Sequence, residues 1–203
     1  MKEKIKVAVT GGSSKIVTEF ERIVSGFAEI KRFALALIDP HCANRFLFSH
    51  GILQGLRINE NENGHDAWKV NFELMAAVIE HILNANPKAR ICVIGSESGI
   101  TGSYDMAYAG SKAALHMYIE NRRLPFPEQQ LVGIAPHIIS DAGMTMRRDD
   151  QADLAKRALD TPKQRWARAE EVAALVRFLL FDDQGYLTNT VIRMNGGAHA
   201  RAT

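Results

Sequence analysis

The sequence predicts an α/β domain built on a doubly wound parallel sheet. Short apolar runs alternate with stretches of helical periodicity, the first run ends in a glycine turn, and the runs are apolar throughout, as strands covered on both faces are. Residues 5–9 form the first run, closed by Thr10, Gly11 and Gly12. Ile16, Val17, Phe20, Ile23, Val24 and Phe27 then recur at helical spacing, with Ser13 or Ser14 placed to cap the helix. Residues 33–38 read as a second strand stopped by Asp39 and Pro40, and residues 45–49 as a third, with no helix fitting between them. A polar loop is expected at 57–64 and a long helix at 66–83, with Trp68, Phe72, Met75, Ile79, Ile82 and Leu83 mainly on one side and Pro87 beyond its end. The alternation continues with a strand at 90–95, a helix at 107–122, a strand at 131–135, a charged segment at 141–162, a helix at 169–181 and a strand at 190–194.

The chain has 203 residues, 46% hydrophobic and 24% charged, which suits one globular domain with a full core. Its net charge is +2, with 25 basic and 23 acidic residues intermixed, so no field argues for a nucleic-acid or membrane partner. Two cysteines without a CxxC pair fit free thiols in a reducing compartment, and the opening apolar run is too short for a signal peptide or span. A soluble, cytoplasmic protein is expected. No HExxH or comparable ligand ladder points to a metal.

Ligands of doubly wound sheets bind at the carboxyl ends of the strands, where the strand order reverses. Tyr108 and Lys112 lie four apart in a predicted helix and share its face. An adjacent ammonium favours a phenolate, and such a pair can move a proton to or from an alcohol or carbonyl oxygen. Ser96 ends the preceding strand in IGSESG, and Asn71 sits on the long helix in WKVNF.

With these pieces in order, the chain resembles a short-chain dehydrogenase/reductase. The matching stretches are the TGG turn, VNF, IGSESG, YAGSKAAL, IAPHI, RWARAEEVAALVRFLL, YLTN and MNGGA, which span nearly the whole chain. The resemblance implies a single Rossmann-like domain, NAD or NADP as cofactor, a small carbonyl or alcohol substrate, and a homodimer or homotetramer. It places a catalytic tetrad on Asn71, Ser96, Tyr108 and Lys112. Ser96 would hold the carbonyl oxygen, Tyr108 would donate the proton in reduction, Lys112 would lower the phenol pKa and bond the nicotinamide ribose, and Asn71 would interrupt its helix and hold a relay water.

The same resemblance implies cofactor contacts from Thr10, Gly11, Gly12, Ser13, Ser14, Lys15 and Ile16 in the first turn. Asp39 would meet the adenosine ribose, His50 and Gly51 would line the crevice, and Pro136 and Ile139 would follow the fifth strand. The family turn TGxxxGxG is altered, because Lys15 and Val17 stand where its second and third glycines belong, and Asp141 replaces a threonine that commonly contacts the nicotinamide amide. Too few residues separate Asp39 from the strand bearing His50, so one helix-strand piece of the adenine-side half is absent. Asp39 favours NAD and Lys15 favours NADP, which leaves the preference open. A catalytically silent binding or regulatory subunit is the second reading, and a substrate phosphate meeting Lys15 is a third.

Overall fold

A computed structural model describes residues 4–51, 64–182 and 185–200. Six parallel strands form one sheet in the order β2-β1-β3-β4-β5-β6, comprising β1 (Ile5–Thr10), β2 (Ala28–Phe33), β3 (Arg45–Phe48), β4 (Arg90–Ile94), β5 (Gln130–Pro136) and β6 (Thr190–Met194). The order reverses between β1 and β3, so the switch crevice opens above Thr10 and Phe48, which are register partners.

Side chains alternate across the strands and fill a core on each face. Val7, Val9, Leu47, Cys92 and Ile94 pack with α1 (Lys15–Val24) and α8 (Ala169–Phe181). Ala8, Phe46, Phe48, Ile91 and Val93 face the other way, toward α3 (Leu74–Ala85) and α5 (Met106–Asn121). Both cysteines are free thiols, as expected, and among the described residues no helix is long and apolar enough to cross a membrane.

The second strand departs from expectation. The apolar run at 33–38 is not a strand; its centre is a 3-10 turn, Leu35–Leu37, with Leu35 and Ile38 buried beside α3. The strand is instead the charged segment AEIKRF. Among the described residues it lies at the sheet edge and pairs only with β1, so no continuous apolar run is required. Only the 3-10 turn separates β2 from β3 among named elements, in keeping with the absent helix-strand piece. The loop expected at 57–64 lies outside the described residues except for Gly64, which begins α2 (Gly64–Trp68). The charged segment at 141–162 carries two short helices, α6 (Gly143–Met146) and α7 (Gln151–Leu159). A further helical turn, α4 (Ser98–Thr101), follows β4.

Candidate active site

Helix α5 begins at a fixed place because Asp105 accepts the Tyr108 amide proton at 2.8 Å. That cap sets Tyr108 and Lys112 on the face turned to the ends of β3 and β4. The Ser96 side chain favours the ionised form of the Tyr108 hydroxyl, but burial is the larger effect and pushes the phenol above its ordinary value. Lys112 is 1% exposed. Its Nζ donates to the carbonyl of His50 at 3.0 Å and of Ile94 at 3.1 Å, stapling the helix to two strand ends. Burial pushes the ammonium down to about 8. Gly51 lies between the two groups: a Cβ there would sit 3.7 Å from Lys112 Nζ and 4.0 Å from the Tyr108 ring.

The expected lowering of the phenol by Lys112 is therefore not what the structure shows. Desolvation outweighs the pull of the Ser96 side chain, and the ammonium is directed to two backbone carbonyls.

Asn71 sits inside a π-helical turn, Lys69–Glu73, between α2 and α3. The turn interrupts regular helix bonding, as expected of this position, and buries Asn71 fully. Its Nδ2 donates to Ser111 Oγ at 3.1 Å, and Ser111 Oγ donates to the Tyr108 carbonyl at 2.8 Å. Asn71 thus braces the helix that carries the phenol.

At the first turn, Gly11 takes a φ of +73° and passes so close to the Ser49 carbonyl that a side chain has no room. Thr10 Oγ1 lies 2.9 Å from His50 Nδ1, which ties the turn to the β3 exit. Ser14 stands at the helix cap, but its Oγ accepts from Ser49 at 3.0 Å rather than closing on the helix, and Ser13 is exposed. Arg32 of β2 covers Gly12, its Cδ 3.1 Å from where a Cβ would be. Lys15 runs along α1 to Glu19 at 2.8 Å, and Val17 is buried in the core. Neither substituted position therefore projects a side chain into the crevice from this turn.

Three expected contacts fall differently. Asp39 is not at the end of β2; it is an exposed turn residue whose Oδ1 accepts from the His41 amide at 2.9 Å. Ile16 and Ile139 turn their side chains into the core, leaving only their backbone for a ligand. Pro136 closes β5 with its carbonyl accepting from the Glu97 amide at 2.9 Å. Asp141 accepts the first amide of α8, Ala169, at 2.8 Å.

Three further residues, Glu97, His116 and His137, lie next to the site. Glu97 is buried and bonds Arg193, Asn195 Nδ2 at 3.0 Å, and lies 3.6 Å from His199 Nε2. Burial raises its carboxyl, but Arg193 and Asn195 outweigh that and hold it below the usual range. His116, one further turn along α5 from Lys112, lies against Gly95 and accepts from the Ser96 amide. His137 is stacked between Trp166 and His199, with centroids 5.2 and 5.6 Å away.

A parallel sheet with this switch crevice carries a buried tyrosine and lysine one helical turn apart against a strand-end serine, the arrangement that the resemblance to short-chain dehydrogenase/reductases implies. No protein-family model matches the chain. A 3-oxoacyl-(acyl-carrier-protein) reductase of rhamnolipid biosynthesis from Pseudomonas aeruginosa is 35% identical over 125 residues, 57% of this chain and 47% of that protein. Matches to curated relatives span 38% to 48% of the relatives' own length. A solved oxidoreductase of the short-chain dehydrogenase/reductase family from Burkholderia thailandensis superposes with a TM-score of 0.84 at 14% identity, over 98% of this chain and 94% of that one. An actinorhodin polyketide ketoreductase variant solved with NADPH gives 0.81 at 15% identity, over 99% of both chains. The chain is thus similar in sequence to short-chain dehydrogenase/reductases over about half of its length, and it shares their fold over nearly all of it.

Proposed function

We propose that the chain is an NAD(P)-dependent oxidoreductase that interconverts a small-molecule carbonyl and its alcohol. The observation that carries this reading is the buried Tyr108–Ser96 hydroxyl pair, set with the Lys112 ammonium around the side-chain-free Gly51. The dinucleotide fits the residues present. Gly11 and Ser14 leave the first amides of α1 without intrahelical partners, a place for a diphosphate, and Gly51 keeps the crevice floor open beside Lys112. When bound, a reduced nicotinamide supplies the hydride.

The chain's own groups handle the proton. Because burial raises the Tyr108 pKa, the hydroxyl is protonated at neutral pH and acts as the acid of carbonyl reduction. Ser96 donates to the same carbonyl oxygen. The Ser96 hydroxyl then stabilises the phenolate left behind.

NADPH is the preferred form in this reading. The carboxyl end of β2 carries Arg32 over Gly12 where an NAD-preferring site carries an acid. A homodimer or homotetramer belongs to the same reading, with Met117, 61% exposed on α5, available to a second copy. The test is titration of the purified protein with NADPH and NADH, followed by a carbonyl panel with wild type and Tyr108→Phe. Saturable NADPH binding and turnover lost in Tyr108→Phe are expected. Absence of dinucleotide binding, or turnover indifferent to the substitution, overturns the reading in favour of a silent subunit.

A further inference from the structure

His116 is the third residue of a row on α5, following Tyr108 and Lys112 at intervals of four. Its imidazole is 5% exposed and occupies a slot made by two missing side chains. A Cβ on Gly95 would fall on its Nε2, and a Cβ on Gly99 would lie 3.0 Å from its Cε1. Nε2 accepts the backbone proton of Ser96 at 3.3 Å, the residue whose hydroxyl meets Tyr108. Ser96 Oγ itself accepts from the Ser98 amide at 3.2 Å, so both ends of this residue are held.

We propose that His116 is a positioning residue that, through Nε2, fixes the Ser96 backbone and so aims the Ser96 hydroxyl at the Tyr108 phenol. The proposal deepens the oxidoreductase reading and rests on it. Packing alone does not account for the ring. With Nε2 accepting, the proton of a neutral imidazole sits on Nδ1, which is buried with no hydrogen-bond partner among the described residues. An aliphatic side chain would fill the slot without burying that orphan donor, which is costly. The acceptor at Nε2 is what an aliphatic chain lacks. Burial first, and then the charge of Lys112, push His116 down to about 4 despite the opposing pull of Glu97, so the accepting neutral form is present at neutral pH.

The test compares His116→Leu, which removes the acceptor, with His116→Gln, whose Oε1 reaches the position of Nε2. In the protein without cofactor, amide exchange at Ser96 is expected to quicken about tenfold or more in His116→Leu and to return toward wild type in His116→Gln. With NADPH and a carbonyl substrate, His116→Leu is expected to lower kcat about tenfold with KM for NADPH little changed. In a Ser96→Ala background the same substitution is expected to cost nothing further. Should His116→Leu not fold, His116→Asn, too short to reach Ser96, takes its place. Unchanged Ser96 exchange, or an equal loss of kcat with and without the Ser96 hydroxyl, overturns the proposal. A wild type that binds no dinucleotide and turns nothing over refutes the oxidoreductase reading alone, because the Ser96 exchange result still decides the role of His116.

Discussion

The two halves of the crevice are built differently. On the β4–α5 side, Ser96, Tyr108, Lys112 and His116 are all buried, with His116 accepting from the Ser96 amide and Lys112 donating to the Ile94 carbonyl. On the β1–β2 side, the groups suited to a dinucleotide are at the surface: the Lys15 and Arg32 side chains are 42% and 48% exposed, and each is paired with a glutamate of α1, Glu19 and Glu21. Surface ion pairs of this kind contribute little and exchange readily with another anion. One half is therefore fixed by packing before any ligand arrives, whereas the other must give up its own ion pairs to receive one. The difference follows from the sheet: β4 is an interior strand with cover on both faces, and β2 is an edge.

The largest test of this contrast is on the packed side. Tyr108→Phe removes only the hydroxyl and is expected to lower turnover about 10³-fold, in the range of a lost general acid, while NADPH affinity stays near that of wild type. Steady-state kinetics beside a fluorescence titration separate the two. A comparable loss of affinity would mean that the halves are not independent.

Next comes the protonation of Lys112. Its folded value is about 8 against an ordinary 10.5, so from about 8 upward the unfolded chain binds more protons than the folded one. The cost of burying the ammonium is fully present below that pH and is relieved as pH rises. Stability should accordingly increase with pH from about 8 toward 10, by on the order of 1 kcal/mol per pH unit at most. Near pH 10 the trend reverses in part, because the phenol of Tyr108, raised in the folded state, ionises first in the unfolded chain. Urea unfolding at a series of pH values checks this, with Lys112→Met as reference: the rise should be present in wild type and absent in the variant.

On the exposed side, Arg32→Glu is expected to weaken NADPH binding about tenfold and to leave NADH little affected, since only the 2′-phosphate distinguishes them. Titration of both cofactors reads the ratio directly. An equal loss for both would place Arg32 at the diphosphate instead.

The same contrast explains what could be read from the sequence. Helix α8 and strand β6 match their expected bounds residue for residue, and β1, β3, β4 and β5 come within about two residues. These elements have two covered faces or a clear helical stripe, so hydropathy alone marks them. Strand β2 is not legible in the same way because an edge strand keeps charges, Glu29, Lys31 and Arg32, and the apolar run after it carries the stronger hydropathy signal. Tyr108, Lys112 and Ser96 were legible because a four-residue spacing and a strand end are local patterns. His116 obeys the same spacing, but its meaning depends on the missing side chains of Gly95 and Gly99, which only the folded loop brings against it. Glu97 depends on Arg193, nearly a hundred residues away in sequence.

The smallest expected effect belongs to the residue that the misplaced strand implicated. Asp39 is exposed, and its Oδ1 serves the His41 amide within its own turn, an acceptor that asparagine also provides. Asp39→Asn should change stability by less than about 0.5 kcal/mol and leave the affinities for NADH and NADPH where they were. The result is informative because of what it excludes: with β2 ending at Phe33, a ribose contact from Asp39 requires the turn beyond Leu37 to reach back over the sheet edge. A selective loss of NADH binding in Asp39→Asn would show that it does, and that the exposed half closes on its ligand instead of merely yielding ion pairs to it.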